Sequence, residues 1–131
     1  MIALLRVPDN VRSRIPGIGS DLETPLRSSI VHVRFFDSST PWQWFVLEMD
    51  GDDDCFGIVL SRAVAVAGRF TLAELQGLTG PRGEEGAVLY DTGFPVQTVA
   101  ELAEKEPAVR ELIEAPSPRE RRATDNLVDL E

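Results

Sequence analysis

A chain of 131 residues with 43% hydrophobic side chains is long enough for one domain with its own core and has the mix of an ordinary globular protein. Twenty-two acidic against thirteen basic side chains leave a formal net charge of −9, which disfavours direct contact with a nucleic-acid backbone. A single cysteine excludes an internal disulfide, no basic segment leads into an apolar signal, and the longest apolar runs, such as WFVL and AVAVA, fall well short of the ~20 residues of a membrane span, so a cytoplasmic protein is expected.

The opening LLRVPDNVRSRIPGIGS predicts one short helix. Pro8 suits a first helical turn, Val11 and Ile15 share a face, and Pro16-Gly17 ends the element, with a loop through Pro25. SSIVHVRFFDSS then alternates apolar with polar residues, which predicts a strand carrying Val31, Val33 and Phe35 on one face. After the turn DSSTP, the segment WQWFVLEMD is apolar at almost every position to Leu47, the pattern of a central strand. CFGIVL is the next strand, and Asp50-Gly51 marks a hairpin between them, with a loop longer than two residues.

SRAVAVAGRF comes next. Its portion from Ala63 to Ala67 fits helix or strand by pattern alone; the short length and the closing Gly68 favour a strand ending at Phe70. In TLAELQGL, Thr71 and Glu74 have the spacing of a capping box and Gly77 is a stop. TGPRGEEG reads as a loop and AVLYD as a strand. Thr98 and Glu101 form a second capping box, and Pro107 divides the segment from Val99 to Ala115 into two short helices or one kinked at Glu106. Their apolar faces are Val99, Leu102 and Ala103, then Val109, Leu112 and Ile113. The expected architecture is a single α+β domain over residues 1–115, with an antiparallel sheet of about four to five strands flanked by short helices. Residues 116–131, polar and Pro-containing, read as a flexible tail.

The densest chemical signal is MDGDDDCFG, with Asp50, Asp52, Asp53 and Asp54 in five positions. Asp50, Asp52 and Asp54 occupy the first, third and fifth places of a calcium loop of the EF-hand type. The sixth place, which needs glycine, is Cys55, and the twelfth, which needs a bidentate glutamate, is Ser61. The flanks are also strands, so no metal site of that type is expected. Clustered carboxylates survive in water, where two charges ~6 Å apart repel by only ~0.7 kcal/mol. The run is therefore expected at the surface, either as a solvated hairpin tip or as a patch that a cationic partner reads.

Other signals are weaker. Cys55 beside acids should have a raised pKa, the opposite of a catalytic thiol. His32, the single histidine, has no second histidine or thiolate pair with which to hold zinc. It would serve a hydrolase or transferase only with a carboxylate such as Asp37 or Glu48. PGIGS lacks the rest of a dinucleotide fingerprint, and GPRGEEG lacks the lysine and hydroxyl of a phosphate loop. No motif implies a cofactor or names a catalytic residue. Trp42 and Trp44 share one strand face, as core or as a contact surface for a protein or small molecule.

The order IVHVRFF, WQWFVLEMDGDDDCFGIVL, GRFTLAELQGL, GPRGEEGAVLYDTGF, led by PDNVRSRIP, resembles domain-of-unknown-function family 2958 over roughly residues 4–94. The tryptophan block and FTLAEL carry the likeness. The resemblance implies a protein of plasmids, integrative elements or phages, with no catalytic residues to transfer. Small acidic proteins of mobile elements often inhibit host defence or help transfer, so the expectation is a non-enzymatic accessory protein. It would bind a partner with a basic surface through Asp52, Asp53, Asp54, Glu84, Glu85, Trp42 and Trp44, with anti-defence action against a nucleic-acid-binding protein as one form. The alternatives are a small-molecule-binding module and the His32 hydrolase. Oligomeric state is not readable from the sequence.

Overall fold

The centre of the molecule is the hairpin of β3 (Gln43–Asp50) and β4 (Asp54–Leu60). The computed structural model describes residues 5–20, 22–78 and 87–115. Around the hairpin, β2 (Val33–Asp37), β5 (Ala65–Thr71) and β6 (Val88–Tyr90) complete a five-stranded antiparallel sheet in the order β5-β4-β3-β2-β6. Strand β1 (Ile30–Val31) pairs with β7 (Gln97–Thr98) in a separate two-stranded sheet. The helices are α1 (Asp9–Arg12), α2 (Leu72–Gln76), α3 (Val99–Lys105) and α4 (Pro107–Glu114), with a 3-10 turn at Leu26–Ser28. The protein is a single α+β domain.

The unbroken apolar run of β3 results from burial on both faces. Trp44 and Val46 join Val33, Phe35, Cys55, Phe70, Leu72 and Leu75 on one side, beneath α2 and the chain around α1. Phe45 and Leu47 join Phe56, Ile58, Leu60, Val99, Leu102, Val109 and Leu112 on the other, beneath α3 and α4. Both predicted helix faces after Thr98 point into this second layer, and the chain forms two helices separated at Glu106. Pro107 begins α4, where its missing N–H costs nothing.

The segment predicted as one strand with Val31, Val33 and Phe35 on a common face is instead divided. Its Val33 and Phe35 face α2, whereas Val31 belongs to the α3/α4 layer. At His32 the chain leaves the large sheet, its N–H still bonded to the Val46 carbonyl, and β1 turns away to pair with β7. Pairing with the strand that leads into α3 is a long-range event that local alternation does not encode.

A bulge in β3 changes the side-chain parity. Val46 opposes Gly57 and Glu48 opposes Phe56, leaving Leu47 as the extra residue. Met49 is thereby returned to the α2 side, and Glu48 is turned away from it, toward the face of its register partner Phe56. Glu48 is 5% exposed, and its Oε1 accepts the Gly19 N–H at 3.1 Å. Gly57 is required where the strands cross: an added Cβ would lie 1.8 Å from the Phe45 carbonyl oxygen.

The ambiguous segment before Phe70 is strand. A turn closes with the Ser61 N–H on the Val64 carbonyl, and β5 begins at Ala65 and runs to Thr71. The second predicted capping box is complete in α3, where Thr98 and Glu101 bond reciprocally. The first is half-formed. Thr71 accepts the Glu74 N–H at 3.0 Å, but the Glu74 carboxylate does not return to Thr71. Pro8 precedes α1 as its cap residue rather than lying in its first turn. The tail predicted at 116–131 lies outside the described residues.

Candidate functional site

The turn between β2 and β3 is held by its own side chains. Asp37 Oδ1 accepts the Ser39 N–H at 2.8 Å and the Ser39 hydroxyl at 3.0 Å, Thr40 Oγ1 accepts the Trp42 N–H at 3.3 Å, and the Asp37 N–H reaches the Trp42 carbonyl at 3.0 Å. These bonds are what Asp, Ser and Thr supply in tight turns. They hold Trp42 just before β3, with its ring stacked on Trp44 at a centroid separation of 6.1 Å and an interplanar angle of 27°. The two tryptophans do share a face, but not a fate: Trp44 is 5% exposed and Trp42 44%.

Between this pair and α2 lies a groove of about 360 Å3, lined by Trp42, Trp44, Phe70, Leu75, Leu78 and the polar Asp37, Thr40 and Glu74. Trp44, Phe70 and Leu75 are buried, while Trp42 and Leu78 stay exposed at 44% and 41%. Among the described residues no basic side chain lines it. Of this set the sequence pointed to the tryptophans. The contributors on and just after α2 were hidden, because nothing local places Glu74 and Leu78 opposite Trp42; the unreturned half of the Thr71 box is the nearest local trace.

The acidic run behaves differently from a bare solvated tip. Asp50 and Asp54 are register partners, and Gly51, at φ 59°, with Asp52 and Asp53 makes the turn. Asp50 Oδ1 accepts the Ile18 N–H at 3.0 Å. Asp53 Oδ1 accepts the Ala73 N–H at 2.9 Å, and its carbonyl accepts the Leu72 N–H at 3.1 Å. Arg12 closes the other side, donating from Nε to the Gly51 carbonyl at 2.7 Å and from its guanidinium to the Met49 carbonyl at 3.3 Å. The tip is thus a junction that ties α1, the Pro16–Ile18 loop and α2 to the central hairpin. Asp52, Asp53 and Asp54 remain exposed, and Asp53 has a structural task beside any binding role. Among the described residues no three carboxylates, histidines or cysteines converge on a common point that could hold a metal ion. Glu84 and Glu85 lie outside the described residues.

Cys55 is fully buried in the sheet, and its thiol is pushed up to about 12 by that burial first and by Asp53 and Asp54 next. It is a core residue in the protonated form. His32 lies with Ser28, Ser29 and Glu48 around a cleft of about 90 Å3. Burial lowers its pKa, so the ring is neutral at physiological pH. Serine, histidine and a carboxylate are the parts of a hydrolytic triad, but the geometry does not connect them. No side-chain hydrogen bond to His32 is present among the described residues, and Glu48 is engaged with Gly19. A nucleophile must be bonded to its base and the base to its orienting group. The other carboxylate considered for His32, Asp37, lies in the groove instead.

No family model, no curated protein and no solved structure matches this chain.

Proposed function

We propose that the chain is a small, non-enzymatic accessory protein that works by binding another protein with a basic surface, using the groove between Trp42 and α2 as its principal contact. The observation that carries this reading is Trp42: a large aromatic ring held half-exposed beside an apolar groove by turn bonds that fix its position. Pre-positioned tryptophans of this kind dominate protein contacts because they bury much area at low entropic cost. The excess of acidic side chains supports the sign of the partner, since a negative surface speeds encounter with a positive one. The narrower reading, an accessory protein of a plasmid, integrative element or phage that inhibits a host defence or nucleic-acid-binding protein, rests on the resemblance in the tryptophan block.

The test is a photo-crosslinking amino acid placed at position 42 in cells, with mass-spectrometric identification of what it captures. A protein with a basic surface, captured at position 42 and not from a control position at Arg110 on the opposite layer, is the expected result. Equal capture at both positions, or none at either, would count against the reading.

A further inference from the structure

Building on that reading, we infer that the groove takes one arginine side chain of the partner, its guanidinium laid on the exposed face of Trp42 and its N–H groups aimed at Asp37 and Glu74. The groove's polarity is one-sided: its charged members are both carboxylates, and Thr40 adds a hydroxyl whose oxygen already accepts from Trp42. Asp37 is held in place through Oδ1 by Ser39, which leaves Oδ2 for a ligand. Glu74 makes no side-chain hydrogen bond among the described residues, because the reciprocal bond of its half-formed capping box is absent. The apolar floor of Trp44, Phe70 and Leu75 suits an aliphatic stem.

Charge and shape together select the occupant. An apolar side chain would leave two carboxylates desolvated at its edge, a cost that a purely hydrophobic contact does not recover. An acidic one would be repelled. Lysine satisfies the charge, but its ammonium is a compact, strongly hydrated point charge, whereas the planar guanidinium lies flat on an indole and directs five donors in its plane toward carboxylates on either side.

The experiment titrates the full chain with four short Gly/Ser peptides that differ only at a central arginine, lysine, citrulline or norleucine. The readout is the indole N–H signals of the two tryptophans, assigned with Trp42→Phe. Saturable movement of the Trp42 signal by the arginine peptide is expected, with citrulline weaker by about tenfold or more. Asp37→Asn and Glu74→Gln should each weaken the arginine peptide and leave the norleucine peptide unchanged, and added salt should weaken it further. Lysine, citrulline or norleucine binding as well as arginine would overturn the inference. So would a Trp42 signal that moves with protein concentration alone, which marks a second copy as the occupant. An indole of Trp42 already shielded from acrylamide in the free chain, which marks the chain's own residues, would do the same, as would no movement with any peptide. If position 42 still crosslinks a basic protein while the arginine peptide fails, only this inference falls and the protein-binding reading stands.

Discussion

The carboxylate of Asp53, at the tip of the β3–β4 hairpin, accepts the backbone N–H of Ala73 in the first turn of α2 at 2.9 Å. Asp53 therefore caps first-turn N–H groups that Thr71, bonded to the Glu74 N–H, does not reach, and the helix that forms one wall of the groove is anchored to the central hairpin. Asp53→Ala should cost about 1 kcal/mol, the usual size of a lost helix cap. Asp52→Ala, at the exposed neighbouring position of the same turn, should stay within about 0.5 kcal/mol of the parent. Urea midpoints of the two variants decide it; equal losses would mean that the tip acts only through its charge.

Glycine is demanded at one strand position and optional at the next. A Cβ on Gly57 would meet the Phe45 carbonyl oxygen at 1.8 Å and its carbon at 2.9 Å, backbone atoms that cannot rotate away. Gly68, its register partner on β5, would meet nothing within 4 Å. Gly57→Ala should destabilise by about 3 kcal/mol or more. Gly68→Ala should change stability by no more than about 0.5 kcal/mol. Thermal unfolding of the pair checks the contrast, and a tolerated Gly57→Ala would show that the strands can separate at the bulge.

The stacked tryptophans should separate stability from binding. Trp44→Ala empties a buried site and should cost about 3–5 kcal/mol. Trp42→Ala removes a half-exposed ring and one aromatic contact, worth about 1 kcal/mol. The Trp42 variant should therefore fold with the far-ultraviolet spectrum of the parent while losing partner capture. Loss of fold on replacing Trp42 would make it a core residue and remove it from the binding surface.

His32 sets a pH dependence. Its folded pKa is lowered from 6.5 by burial, so the unfolded chain takes up a proton before the folded chain does. The contribution to stability is complete above 6.5 and is lost as pH falls below that value through the lower folded one. Glu101, held below its ordinary value by the hydrogen bond with the Thr98 N–H, adds a loss only in the more acidic range of a carboxylate. Denaturant midpoints should fall between about pH 7 and pH 5, and His32→Gln should flatten that slope. An unchanged slope in the variant would place the titration elsewhere.

Local pattern alone determined the apolar run of β3 as a central strand, the turn at Asp50-Gly51, and a break in the last helical segment at Pro107. These features obey short-range rules of side-chain period, turn chemistry and proline geometry, so they are written in neighbouring residues. The division of IVHVRFF at His32, the bulge that redirects Glu48, and the use of Asp53 to cap α2 were decided by tertiary structure. Each depends on a partner distant in sequence, and no local propensity names that partner. The groove has the same origin. Trp42 and Trp44 were visible as candidates, but only the packing of α2 across the sheet buries one, leaves the other open, and sets Asp37 and Glu74 beside it.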